Sequence, residues 1–196
     1  GASLPGLAGI LLGHNENISW GITLSYIDVE DVFIEKININ DNSKYEYVGK
    51  QLSFEVTKEK INVKGKKPHI EIIKSTVHGP LIGEVTGNNN LSISLSSKAL
   101  INMDLINAIY KMNSANNLNE FSDSIKLIKA PHLNLMYADI LGNIGLFVSG
   151  SVPIRKKGNG QLPVKGWTGE YDWQSEISQD QMPKSVNPKI SSTRSH

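Results

Sequence analysis

The 196 residues (21.5 kDa) suit one domain on the usual scale of about 100–200 residues, and 39% apolar with 20% charged residues excludes a collagen, a coiled coil and a mostly disordered chain. Lys and Arg total 20 against 19 Asp and Glu, and a net charge of +1 steers the whole molecule toward neither nucleic acid nor an anionic surface. The absence of cysteine excludes disulfides, thiolate zinc sites, iron–sulfur clusters and cysteine nucleophiles together.

No apolar run approaches the ~20 residues that span a bilayer, and residues 1–13 lack the basic flank and cleavage site of a secretory signal; if the parent is exported, its signal is expected outside this chain. Leu7 to Leu12 is a short apolar run, Gly13 to Asn17 a turn-rich cluster, and Ile18 to Tyr26 a second apolar run, which predicts strand, turn, strand. Asp31 to Ile39 predicts a third strand. Phe54 to Val56, Ile61 to Val63, Ile70 to Ile72 and Leu91 to Leu95 alternate with period two, as half-buried strands do. The basic clusters Lys64-Gly65-Lys66-Lys67 and Arg155-Lys156-Lys157 sit beside Gly or Pro and read as solvated loops, while Asn88-Asn89-Asn90 marks a hairpin tip.

After Ser97 the period changes. Leu105, Ile106, Ile109 and Met112 fall at helical spacing behind Asp104 as N-cap, and Leu118, Phe121, Ile125 and Ile128 place one apolar stripe on a second helix ending near Ala130-Pro131. A helix pair is therefore expected at about residues 104–129. Leu133 to Ala138 and Ile144 to Val148 predict two strands joined by a tight turn at Gly142-Asn143. From Gly150 onward periodicity gives way to Pro, Gly and the aromatics Trp167, Tyr171 and Trp173, an irregular but packed segment.

Chemistry-bearing residues are sparse. Of the five histidines none lies three or four residues from another on a helix, so a sequence-local zinc site is unsupported. His14 reads as a turn residue whose ring bonds to backbone, and His78, before Gly79-Pro80, as a strand-end residue. Asp28, Glu30 and Asp31 are packed closely enough to suit calcium, although such clusters are more often a solvated strand entry. Neither a nucleophile elbow nor a phosphate loop is present.

Residues 1–23 read Gly1-Ala-Ser3-Leu-Pro5-Gly6-Leu-Ala8-Gly9-Ile-Leu-Leu-Gly13-His14-Asn15-Glu-Asn-Ile18-Ser-Trp20-Gly21-Ile-Thr23. This resembles the G-x-S-x-P-G-x-P-G-x-x-x-G-H-N-x-x-I-x-W-G-x-T stretch of the penicillin acylase (penicillin amidase) family, in the N-terminal-nucleophile hydrolase superfamily. Further family-like motifs follow in order: Asp28-Val-Glu30-Asp31, Val77-His78-Gly79-Pro80, Tyr137-Ala138-Asp139 to Gly145, Leu162-Pro163-Val164 to Gly166, Gly169-Glu-Tyr171-Asp172-Trp173 and Val186-Asn187-Pro188. Residues 40–75 and 84–100 carry no such motif, and Ala8, Leu24 and Leu146 replace residues usual in the family.

The resemblance implies an α+β fold, part of an αββα sandwich of mostly antiparallel sheet, with residues 1–196 a single partial domain of the catalytic chain. It implies an amidohydrolase parent that cleaves an acyl group from a linear amide of penicillin or acyl-homoserine-lactone type. The nucleophile would be an N-terminal serine outside this chain, since Gly1 has no side chain, and the partner would be the alpha chain of the processed precursor. The oxyanion-hole asparagine would fall just beyond His196, and residues 189–196, which do not match, are expected to be an appended tail. This chain alone is expected to be inactive. By position, the backbone N–H of Leu24 resembles the other oxyanion donor, and Leu12, Ile22, Leu24, Ile109 and Leu133 resemble acyl-pocket positions. A structural calcium ion is implied at Asp28 and Asp31 through carboxylates and at Glu30 and Gly160 through carbonyls, with further ligands outside the chain. An extracytoplasmic location follows from the resemblance alone. The rival readings are a calcium-holding β-rich binding module and a degenerate acylase with a structural role.

Overall fold

The computed structural model describes residues 1–7, 9–83, 91–100 and 104–189. In chain order the strands are β1 Gly13–His14, β2 Ile18–Leu24, β3 Glu30–Ile34, β4 Lys44–Tyr47, β5 Lys50–Ser53, β6 Glu55–Ile61, β7 His69–Thr76, β8 Gly79–Pro80 and β9 Ile93–Ser97. Helices α1 Leu105–Ser114 and α2 Leu118–Ile125 follow. The remaining strands are β10 Leu133–Asp139, β11 Ile144–Ser149, β12 Pro153–Arg155, β13 Val164–Lys165, β14 Trp173–Glu176 and β15 Lys184–Val186. The expected hairpin tip at Asn88–Asn90 and, save Lys189, the expected tail lie outside the described residues. The chain divides into two compact units, one of residues 1–29, 98–153 and 176–196, the other of residues 30–97 and 154–175.

In the first unit β1, β2, β10, β11 and β15 form one antiparallel sheet in that order. Register places Ile18, Trp20, Ile22 and Leu24 of β2 opposite Asp139, Tyr137, Leu135 and Leu133 of β10, so one face is almost wholly apolar. That face joins Ala108 and Met112 of α1, Phe121 and Ile125 of α2, and Phe147 of β11 in a single buried core. Each of the large side chains among them contributes about 1.5–3 kcal/mol by leaving water. Phe121 anchors the packing, with its ring 5.0 Å from that of Tyr137 and 6.0 Å from that of Phe147.

Local chemistry sets the boundaries. Asp104 stands at the N-cap of α1 as expected, but its carboxylate accepts from the Asn107 side chain (2.8 Å) and caps no backbone N–H. Asn117 caps α2 by accepting from the Glu120 N–H at 3.0 Å. The second helix ends at Ile125, short of Ala130, and Ile128 reaches the same core from the turn that follows. The β10–β11 turn is built by Asp139, whose carboxylate accepts from the N–H groups of Leu141 and Asn143, with Gly142 at φ +89°.

Leu7 to Leu12 is not the strand its apolar run predicted. Gly6 and Gly9 take φ of +86° and +143°, and only an isolated bridge from Leu12 to Ala2 forms. Pairing instead begins at Gly13, inside the expected turn.

In the second unit β3 lies between β9 (antiparallel) and β13 (parallel), while β4–β5 is a hairpin and β6, β7 and β8 form a third sheet. Asp31, Phe33 and Glu35 alternate onto one buried face. The β4–β5 hairpin escaped the sequence reading; its two-residue turn holds Val48 and Gly49 at φ +47° and +72°, with the Val48 N–H donating to the Trp167 carbonyl at 2.9 Å. Phe54–Val56 and Ile61–Val63, expected as two half-buried strands, instead straddle the two ends of the single strand β6, whose residues are all exposed; Phe54, Asn62 and Val63 lie outside it, and Phe54 is buried.

Candidate functional site

Each unit carries one organised cluster. In the first unit the glycine-rich loop before β1 is fastened to α1. The Asn113 side chain accepts from the Ile10 N–H (2.7 Å) and donates to the Ile10 carbonyl (2.9 Å), while Trp20 Nε1 donates to the same carbonyl at 3.3 Å. The Asn15 side chain donates to the carbonyls of Asn113 and Ala115 and accepts from the N–H groups of Asn17 and Ile18. Gly9 sits so close to Ile109 that a Cβ there would lie 2.5 Å from its Cγ2, which leaves no room for a side chain.

Beside this loop, Leu24 ends β2. The Ser25 N–H donates to the His132 carbonyl at 3.1 Å, one step past the Leu24–Leu133 pair. Because antiparallel partners alternate between hydrogen-bonded and non-hydrogen-bonded, Leu24 and Leu133 form a non-hydrogen-bonded pair, and the Leu24 N–H turns away from β10. It points along the edge where β1 pairs only with Ser19 and Trp20. The apolar face opens toward the same end: Trp20 is 5% exposed and Leu24 is 54% exposed.

Of the five acyl-pocket positions, register brings Leu24 against Leu133, with Ile22 two residues along the same face. Ile109 is buried beneath the loop at Gly9, and Leu12 is partly exposed on the loop's outgoing limb.

The acidic positions behave differently. Asp28 is exposed at the end of the first unit, and Glu30 opens β3, its carboxylate accepting from Ser97 Oγ. Asp31 is buried, and its two oxygens accept from Arg155 Nε and Nη2 at 2.8–3.1 Å and from Trp173 Nε1. Gly160 approaches so closely that a Cβ there would meet Asp31 Oδ1 at 2.4 Å. Asp31 and Gly160 therefore come together, but around a guanidinium. Among the described residues no three His, Asp or Glu side chains converge on a point that suits a metal ion. Both oxygens of Asp31 accept from the fork of Arg155, which does not fit a hard cation bound through that carboxylate.

Arg155-Lys156-Lys157, expected as a solvated loop, is thus a set of engaged cations. Lys156 Nζ donates to Asp172 Oδ2 and Lys157 Nζ to Glu170 Oε2, each at 3.1 Å.

The sequence reading also missed the buried centre of the second unit. His78, stacked on Phe33 at 3.9 Å, lies between two carboxylates: Nδ1 is 2.8 Å from Glu35 Oε1 and Nε2 is 3.1 Å from Asp172 Oδ1. Thr76 and Ser94 hydroxyls donate to the same Glu35 oxygen, and Tyr47 Oη donates to Asp172 Oδ2 at 2.7 Å. That last bond, with burial, pushes the Tyr47 phenol up to about 12. The available signal was Glu35, just past β3, alternating onto the same side as Phe33. His14 bonds to backbone as expected, its Nδ1 lying 3.2 Å from the Asn15 carbonyl, but it stands in β1 opposite Ser19 and not in a turn.

A family model described as penicillin amidase matches residues 1–193. The chain belongs to the penicillin amidase family. It is 36% identical over 177 residues to an acyl-homoserine lactone acylase QuiP of Pseudomonas fluorescens, covering 88% of this chain and 22% of that protein. It is 30% identical over 185 residues to the penicillin G acylase of Escherichia coli, covering 92% of this chain and 21% of that one. A thermostable penicillin G acylase from Alcaligenes faecalis superposes with a TM-score of 0.82 at 29% identity, over 95% of this chain and 34% of that one. The expected α+β class, mostly antiparallel with a helix pair, is the one found. The chain spans about a fifth of the curated relatives' length.

Proposed function

We propose that the parent of this chain is an amidohydrolase that releases an acyl group from a linear amide through an N-terminal serine supplied outside residues 1–196, with an alpha chain of the processed precursor as partner. The observation that carries the reading is the direction of the Leu24 amide, turned by strand register out of the sheet ladder beside an apolar face that opens at the same end. When the serine oxygen attacks the amide carbonyl, charge develops on the carbonyl oxygen. A fixed backbone donor stabilises that charge without reorganising, and any residue except proline supplies it. The aliphatic positions Ile22, Leu24 and Leu133 would receive the acyl chain, with Leu12 and Ile109 shaping the loop beside it. They suit an aliphatic acyl group, and one relative is named an acyl-homoserine lactone acylase.

This chain contributes one donor and part of a pocket, so alone it is inactive. Any calcium reaching Asp28, Glu30, Asp31 and Gly160 is bound weakly, because Arg155 already satisfies Asp31. Expression of the full-length parent tests the proposal. It is expected to cleave itself, expose a serine at the new N-terminus and hydrolyse an acyl-homoserine lactone or an aliphatic anilide. A parent that stays uncleaved and inert contradicts it and favours a degenerate, structural role.

A further inference from the structure

The β6–β7 hairpin sorts its charges by face. Register places Val56 opposite Lys74, Lys58 opposite Ile72, and Lys60 opposite Ile70, and directly opposed residues share a face. That face therefore alternates aliphatic and lysine side chains and holds no acid. The other face pairs Glu55 with Ser75, Thr57 with Ile73, Glu59 with Glu71 and Ile61 with His69, and its carboxylates carry the opposite sign. The turn between the strands adds Lys64, Lys66 and Lys67, all exposed. On the cationic face Val56, Ile70 and Ile72 are 51%, 49% and 55% exposed. Lys74 is already engaged, donating to the Asn42 carbonyl and lying over the Phe54 ring, which leaves Lys58, Lys60 and the three turn lysines facing outward.

We propose that this face docks on an anionic lipid bilayer. Lysines interleaved with branched aliphatics suit such a surface: the ammonium groups lie among anionic headgroups, while the aliphatics and the lysine stems reach the acyl boundary. Nucleic acid would leave the aliphatic side chains without use. A protein partner would need an acidic and apolar pattern complementary to this checkerboard. The acidic face fixes the orientation, since it is repelled from the surface that the other face seeks. A net charge of +1 over the chain conceals this segregation. Among the described residues no helix is long and apolar enough to cross a membrane. The hairpin lies in the part of the sequence without family motifs, and the inference is independent of the acylase reading.

The test is co-sedimentation of the whole chain with vesicles of phosphatidylcholine containing about one-third phosphatidylglycerol, against pure phosphatidylcholine, at low and high salt. Binding is expected only to the anionic vesicles, and salt is expected to weaken it. Each lysine near the surface is worth about fivefold in partitioning, so Lys58→Ser with Lys60→Ser should weaken binding about 25-fold. The turn variant Lys64→Ser, Lys66→Ser, Lys67→Ser leaves both strands intact and should weaken it by a similar or larger factor. Ile70→Ser with Ile72→Ser should weaken it further, while Glu59→Gln should leave it unchanged or strengthen it. Equal binding to neutral vesicles, no binding to either, or a loss in Glu59→Gln equal to that of the lysine variants would overturn the proposal. So would capture of a protein partner by this face with vesicles inert.

Discussion

Replacing His78 with phenylalanine preserves the ring stacked on Phe33 but removes the cation between Glu35 and Asp172. The His78 side chain is 6% exposed and that of Glu35 is 0% exposed, so this is a buried ion pair, and breaking one by removing a partner costs about 3–5 kcal/mol. Asp172 keeps Tyr47 and Lys156, and Glu35 keeps Thr76 and Ser94, which places the expected cost near the lower end, about 3 kcal/mol. The cost should depend on pH. Burial alone would lower the His78 value, but hydrogen bonds to Glu35 and Asp172 outweigh it and raise His78 above its ordinary 6.5. Burial pushes Glu35 and Asp172 up, yet hydrogen bonds from His78, Ser94 and Thr76, and from Tyr47, His78 and Lys156, hold them below their ordinary 4.5 and 3.8. The His78 contribution is therefore complete below about pH 6.5 and is lost as pH rises through its raised folded value; the carboxylate contribution is lost as pH falls through their depressed values. Urea unfolding followed by the indole N–H signals of Trp167 and Trp173, which lie in the second unit, reads this out separately from Trp20 in the first. The gap between wild type and His78→Phe should be widest below about pH 6.5 and narrow as pH rises through the raised His78 value. A gap under about 1 kcal/mol at pH 6, or one that widens with rising pH, would refute the reasoning.

Arg155→Ala should strand the buried Asp31 and destabilise the second unit by about 3–5 kcal/mol in the same assay, while calorimetry of the wild-type chain with calcium should give little heat. Asn15→Ala removes four hydrogen bonds that fasten the loop before β2 and should cost the first unit about 2–4 kcal/mol, read from the Trp20 signal. In the processed parent, each CH₂ added to a straight acyl chain should contribute about 0.8 kcal/mol to transition-state binding until the pocket fills, and Ile22→Phe should shift preference toward phenylacetyl. An unchanged kcat/KM profile in that variant contradicts the pocket assignment.

What could be read from the sequence was local. The β10–β11 hairpin follows from Asp139, Gly142 and Asn143, whose turn chemistry acts within five residues. The helix pair follows from apolar spacing, although α2 stops at Ile125 because the chain turns while Ile128 still reaches the core. What escaped depends on distant partners. Val48 holds a positive φ with help from Trp167, far along the chain, and Arg155 reads as solvated until Asp31, 124 residues away, is brought to it. His78 read as a strand end because both of its carboxylates lie far off in sequence. Period two marked β6 and β7 as strands but could not say that β6 and the His69 to Ile72 half of β7 would be exposed on both faces, because burial is decided by what packs against a strand and not by its own alternation. The Leu24 site needed both kinds of knowledge: family-like motifs pointed to the residue, and only the register with β10 gave the direction of its amide.

The most direct test of Leu24 as an oxyanion donor is kcat/KM of the processed parent carrying Leu24→Pro, beside a Leu24→Ala control. Proline removes the one N–H in question, and because that N–H faces away from β10 the sheet ladder keeps its hydrogen bonds. Loss of one such donor typically costs about 10²–10³ in rate. Leu24→Pro is expected to lose that much with its fold intact by circular dichroism, and Leu24→Ala to keep most of its kcat. A folded Leu24→Pro enzyme with kcat within a fewfold of wild type would contradict the assignment.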